Sequence, residues 1–178
     1  MPNWCENDLY VSGSAADVEE VLVAIGGDES QPGFDFNVLI PYPEHFAKLD
    51  REMEELGPQG FADRHGAEAR DGFNAGGYEW CVKNWGTKWN ASDVARRDYD
   101  GVCLSFKTAW APPTPVILAL HKRFPRCTLR LEFFEAGNGV CGGFSCVAED
   151  DWIDEDQPWE AGVATAEWEG AYGGHRGG

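Results

Sequence analysis

Two apolar stripes at helical spacing, each set between runs that alternate at strand period, restrict this fold more than any other feature. Residues 3–12 (NWCENDLYVS) end in a strand-like run. Gly13-Ser14 offers a turn and an N-cap. Ala15–Ile25 then places Val18, Val21, Leu22 and Ile25 on one helical face before Gly26-Gly27 stops it. In the second unit Gly101–Trp110 (GVCLSFKTAW) alternates as a strand. Pro112-Pro113 leads into a helix over Thr114–Phe124, with Val116, Ile117, Leu120 and Phe124 on one face. Cys127–Glu135 (CTLRLEFFE) follows as a strand with Leu129, Leu131 and Phe133 on one side. Ala136–Gly139 reads as a hairpin turn and Val140–Ala148 as the returning strand.

Between the two units the pattern is weaker. Phe34–Ile40 (FDFNVLI) reads as a short strand or extended segment, and Glu44–Leu56 as a helix ended by Gly57-Pro58. Residues 57–79, rich in glycine, read as a loop or lid-like insertion. Tyr78–Asn84 reads as a short helix and Trp85–Ser92 as extended. The order β–α–insertion–β–β–α–β–β is the split βαβ arrangement of a ferredoxin-like sandwich with an extra edge strand. The expected fold is therefore α+β, a mainly antiparallel sheet with helices on one face. Residues 1–149 form one domain with an insertion at about 28–79, and 150–178 an acidic, tryptophan-rich tail with a flexible end. The other sheet face must be polar or covered by the insertion and tail; left uncovered, it would invite a homodimer.

At 178 residues the chain can bury about 70% of its unfolded surface, so a core forms without disulfides or metal. The six cysteines contain no C-x-x-C pair and the four histidines are scattered, which reads as buried reduced thiols and no metal site. No cofactor signature occurs either: Walker A, G-x-G-x-x-G and G-x-S-x-G are all absent, and no catalytic residue is assigned. With no run of 18 apolar residues and no signal-peptide pattern at Met1-Pro-Asn-Trp-Cys-Glu-Asn, the expectation is a cytoplasmic protein without a membrane partner.

Charge divides the chain. It carries 14 Lys+Arg against 31 Asp+Glu, a net of −17, which repels nucleic-acid backbones and disfavours general DNA or RNA binding. Yet residues 81–130 hold 9 basic and 3 acidic side chains between two acidic ends. That block either folds against the acidic ends or forms a locally positive pocket, since screening limits charge effects to about 8 Å at physiological salt.

Three motifs stand in order: Met1-Pro-Asn-Trp-Cys-Glu-Asn, then Asn84-Trp85-Gly86-Thr87-Lys88-Trp89-Asn90 after Trp80-Cys81, then Phe106-x-Thr108-Ala109-Trp110-x-Pro112-Pro113. Together they resemble the YubB-like family of phage- and plasmid-borne proteins over most of residues 1–149. The resemblance implies a ferredoxin-like domain and a mobile-element setting, hence the cytoplasm of an infected or plasmid-bearing host cell. It implies no catalytic residue, cofactor or substrate.

If Asn84–Asn90 is extended, Trp85, Thr87 and Trp89 share one face, and Asn84, Gly86, Lys88 and Asn90 the other. With Asn3, Trp4, Lys107 and Trp110 nearby, indole faces, amides and two ammonium groups would converge. Indoles stack on bases, Asn and Thr meet base or ribose edges, and Lys meets phosphate. The expected ligand-binding set is Asn3, Trp4, Asn84, Trp85, Thr87, Lys88, Trp89, Lys107 and Trp110. The bland reading keeps the tryptophans in the core and Lys88 as a solvated strand residue. The leading expectation is a non-enzymatic phage accessory protein that sequesters a small anionic, nucleotide-derived ligand, such as a host immune signal, in anti-defence. One alternative is an acidic inhibitor that docks on a host protein through surfaces such as Glu149–Asp156 with Trp152 and Trp159. Another is a nucleotide-processing enzyme.

Overall fold

The computed structural model describes residues 3–26, 32–99, 101–137, 139–148 and 162–163. Strand β1 (Trp4–Ser12) leads to helix α1 (Ala15–Ala24), whose N-cap Ser14 accepts the Asp17 N–H. The inserted segment contains a 3₁₀ turn (Phe36–Val38), α2 (Glu44–His65), a π turn (Phe73–Gly77) and α3 (Tyr78–Trp85). Strands β2 (Ser92–Tyr99) and β3 (Gly101–Ala109) follow, then α4 (Thr114–Arg123), β4 (Thr128–Glu135) and β5 (Val140–Cys146). A two-residue β6 (Gly162–Val163) pairs with β5.

The sheet order is β2-β3-β1-β4-β5-β6, and every pairing is antiparallel. Strand β1 lies between the two strands that flank α4, as the split βαβ order requires, and β5 is the added strand beyond β4, edged by the two-residue β6. The protein is an α+β ferredoxin-like sandwich.

Register explains which face is covered. Leu9 faces Leu104 on one side and Leu131 on the other, and Val11 faces Val102 and Leu129. This apolar face packs under Val21, Leu22 and Ile25 of the first helical unit and Val116, Ile117 and Leu120 of α4. Each fully buried aliphatic side chain here contributes about 1.5–3 kcal/mol. Phe34, Phe36, Cys81 and Trp85 join the same cluster, so the insertion packs on the helical side. The opposite face carries Glu6, Asp8 and Tyr10 beside Cys103, Ser105 and Lys107, and Arg130, Glu132 and Phe134 on the other flank. Ser105 Oγ donates to Asp8 Oδ1 at 2.5 Å there.

Three local expectations are corrected. Phe34–Ile40 is not a strand: the Asp35 carboxylate accepts the Asn37 N–H at 2.9 Å and starts a 3₁₀ turn that buries Phe36. Residues 57–79 are not a loop throughout. The helix does break at Gly57 (φ 67°), but Pro58 restarts it, because its fixed φ and missing N–H suit a first turn, and Phe61 is buried in the continuation. The strand expected over 85–92 lies instead over Ser92–Tyr99, because α3 runs through Trp85 and the chain bends before it becomes extended. The acidic tail, residues 150–178, lies outside the described residues apart from Gly162 and Val163, as does Asn138 of the hairpin turn.

Candidate functional site: an indole and lysine cluster

The end of the sheet where β1 starts and β3 finishes gathers the exposed aromatics. Trp4 pairs in register with Ala109, and Trp110 follows at once. The Trp110 N–H donates to the Asn3 carbonyl at 2.9 Å. Thr108 Oγ1 donates to the Ala111 carbonyl at 2.7 Å, and Thr87 Oγ1 to the Ala109 carbonyl at 2.9 Å. Clamped on three sides, Trp110 holds φ at 71°, a left-handed conformation that costs an L-residue about 1–2 kcal/mol.

The second contributor is the segment after α3. Gly86 ends that helix with φ 80°, and a Cβ there would lie 2.8 Å from Pro115 Cδ and 3.1 Å from the Pro112 carbonyl oxygen. Only glycine accepts both the dihedral and the space. At the far end Asn90 Oδ1 accepts the Phe36 and Ala91 N–H groups, each at 2.9 Å, while Asn90 Nδ2 donates to Asp35 Oδ1 at 2.7 Å. The short segment between these anchors presents Lys88 and Trp89. Its conformation is set before any ligand arrives, which lowers the ordering cost of binding.

Lys88 Nζ lies over two indoles, 4.0 Å from the ring centre of Trp89 and 4.6 Å from that of Trp110. Trp4 meets Trp89 with ring centres 6.2 Å apart, and Tyr78 meets Trp110 edge to face at 6.5 Å. Trp4 and Trp89 are each 38% exposed and Trp110 is 43% exposed, so three indoles offer partly free surface, two of them under one ammonium group. Lone exposed aromatics need no explanation, but a contiguous group marks an interaction surface.

Of the nine residues expected in a site, the structure therefore brings Trp4, Lys88, Trp89 and Trp110 together as surface groups. Thr87 and the Asn3 backbone hold them in place. The Asn3 side chain lies against the hairpin, its Nδ2 2.0 Å from where a Cβ on Gly137 would be. Three residues are elsewhere. Trp85 is a core residue, 4% exposed, whose Nε1–H donates to the Ile40 carbonyl at 2.8 Å. The Asn84 amide donates to the Trp80 carbonyl at 2.8 Å within the helix. Lys107 pairs with Asp93 at 3.0 Å. The two-faced alternation of Asn84–Asn90 does not exist, because residues 84 and 85 are helical and Gly86 reverses the chain. Tyr78 is a contributor that spacing did not place, while Gly86 and Asn90, set on one strand face by spacing, act instead as a helix cap and an anchor. A glycine directly after a helical stripe was the available signal for Gly86.

Beneath the cluster lies a buried polar layer. Asn7 Nδ2 donates to Thr108 Oγ1 and to the Cys5 carbonyl, both at 2.9 Å. Glu135 Oε1 accepts the Gly137 N–H at 2.7 Å. Burial pushes the Cys5 thiol up to about 12, further raised by the Glu135 carboxylate and partly offset by a hydrogen bond with Thr108. A thiol held protonated in this way is no nucleophile at neutral pH. Among the described residues no group of three or more His, Cys, Asp or Glu gathers as metal ligands, and no helix is long and apolar enough to cross a membrane.

No curated protein sequence matches the chain. Its fold is similar to a crystal structure of a protein api92 from Yersinia pseudotuberculosis, with 12% identity and a TM-score of 0.45, covering 84% of this chain and 96% of that one. Residues 84–172, the half that carries Lys88, Trp89 and Trp110, match the family described as the ferredoxin-like domain in Api92-like protein. The chain belongs to that Api92-like family.

Proposed function

We propose that this protein is a binding module that holds a small, planar, anionic ligand derived from a nucleotide at the Trp4–Lys88–Trp89–Trp110 cluster. The observation that carries the reading is one ammonium group poised over two partly exposed indoles, with Trp110 kept in a strained backbone conformation to stand there. Strain retained at an exposed aromatic is costly for stability and is characteristic of sites under functional constraint. The ring stacks on indole and the phosphate draws Lys88 outward. Leaving the indoles costs the ammonium about 0.5–1 kcal/mol at an exposed site, less than the roughly 1.5–3 kcal/mol of a charged hydrogen bond. Two stacks of about 1–3 kcal/mol each plus that bond reach roughly 4–9 kcal/mol. Micromolar affinity needs about 8 kcal/mol, so a simple mononucleotide binds at micromolar strength or weaker.

The YubB-like resemblance supplies the biological reading: an accessory protein of a phage or plasmid, acting in the host cytoplasm, that sequesters a nucleotide-derived host signal. Native mass spectrometry with a panel of mono-, di- and cyclic nucleotides tests the binding. Adducts that weaken in Lys88→Ala support the proposal; no adduct across the panel refutes it. A changed product mass would instead indicate turnover.

A second reading has its own support. Three clustered tryptophans on an acidic chain also match the composition of a protein-binding hot spot. On that reading the protein inhibits a host factor. Partner capture from host lysate tests it: loss of capture in Trp89→Ala implicates the tryptophan cluster, and loss of capture with an intact fold on truncation after Ala148 implicates the acidic tail in a protein interface.

A further inference from the structure

We infer that the ring held by this site carries a positive charge, so that the preferred ligand is a nucleotide with a cationic heterocycle, such as an N-alkylated purine or a pyridinium. The inference rests on the binding reading above and names the ligand class for the same site. Its basis is what the indoles hold now. Trp89 and Trp110 share a cation, the Lys88 ammonium, which lies over both rings at 4.0 and 4.6 Å from their centres. Indole faces carry the negative lobe of the ring quadrupole, so a ring that stacks where the ammonium now sits must replace a cation. A neutral base forfeits that attraction when it displaces the ammonium. A cationic ring keeps it, adds stacking area, and frees Lys88 for the phosphate on the same ligand.

The surroundings favour the same class. Lys107, the other ammonium expected at the site, is engaged by Asp93, which leaves Lys88 as the cation placed for one phosphate. The chain's net charge of −17 disfavours a polyanion and tolerates a ligand whose ring charge offsets its phosphate. Trp4 lies beside Trp89 and Tyr78 beside Trp110, and the ring surface over which the Lys88 ammonium sits is where a flat ring would stack.

Matched ligand pairs test the inference by isothermal titration. GMP and 7-methyl-GMP differ by a methyl group and a ring charge; reduced and oxidised nicotinamide mononucleotide differ in ring charge with no added methyl. The expected result is about 3- to 30-fold tighter binding of the charged member of both pairs. That preference collapses in Trp89→Leu and in Trp110→Leu, which keep apolar bulk and lose the π face. Displacement of the resident ammonium has its own signature. Lys88→Met should tighten 7-methylguanosine, which lacks a phosphate, by about 2- to 5-fold, while weakening 7-methyl-GMP. Equal affinity within both pairs overturns the inference and leaves the binding reading standing. No binding by any of the four nucleotides also overturns the inference, and the binding reading falls with it only when the wider nucleotide panel gives no adduct.

Discussion

Replacing Gly86 by alanine tests the link between local backbone geometry and the whole site. Gly86 sits at φ 80°, and an L-residue there costs about 1–2 kcal/mol. The new Cβ would also lie 2.8 Å from Pro115 Cδ and 3.1 Å from the Pro112 carbonyl oxygen, both on the segment that begins α4. Neither proline ring nor backbone moves easily, and overpacking of this kind adds about 1–3 kcal/mol. The expected total is about 2–5 kcal/mol, a large share of a typical domain stability of about 5–15 kcal/mol. Gly139→Ala is the control: its φ of 65° is similar, but nothing lies within 4 Å of the added Cβ, so only the backbone cost applies. Urea unfolding followed by circular dichroism measures both. The excess loss in Gly86→Ala over Gly139→Ala isolates the contact with Pro115 and Pro112. Equal losses would refute the steric argument, and a change below about 0.5 kcal/mol in Gly86→Ala would refute the left-handed cap itself.

Further outcomes follow from the same geometry. Trp85→Phe should cost about 1–3 kcal/mol by stranding the Ile40 carbonyl, with unchanged ligand affinity, whereas Trp89→Ala should do the reverse; urea melts and titrations on both variants decide. Cys5 has a folded value of about 12 against an ordinary 9.0, so its contribution to stability is intact below pH 9.0 and is lost as pH rises toward about 12. Unfolding free energy measured between those limits should therefore fall less steeply in Cys5→Ala, by up to about 1.4 kcal/mol per pH unit. On the acid side, the His65 hydrogen bond, followed by the charges of His65, Lys48 and Arg64, holds the Glu52 carboxyl below its ordinary 4.5. Its contribution is present above that pH and is lost as pH falls further. His65→Ala should flatten the acid limb of the stability profile, and an unchanged limb would show that the contact is not maintained in solution.

Most of the fold was legible because it depends on short-range pattern. Alternation along Gly101–Ala109 and Thr128–Glu135, and stripes at helical spacing in α1 and α4, are read from neighbours a few residues apart. Their order then leaves few ways to arrange a sheet. Where competing local signals were close in strength, spacing misled. The alternation Trp85-x-Thr87-x-Trp89 looked like a strand, yet Trp85 completes a helix by burying its indole against the Ile40 carbonyl, forty-five residues away in sequence. Nothing near Trp85 in the chain announces that partner.

Residue types at the site were also legible: indoles, a lysine and small polar groups in three separated motifs. What determined their roles was long-range pairing. Antiparallel register puts Trp4 opposite Ala109 and so beside Trp110, and the Thr87 hydroxyl ties a post-helical bend to the same strand end. Asp93 removes Lys107 from the set. The sequence by itself determined the strand and helix order, the charge imbalance and the supply of aromatic groups, because these are properties of local pattern and composition. Only the tertiary structure decided which tryptophans are core and which are surface, and which lysine is paired and which lies over indole. Burial and contact depend on residues that the chain brings together from distant positions, and no local window contains both partners.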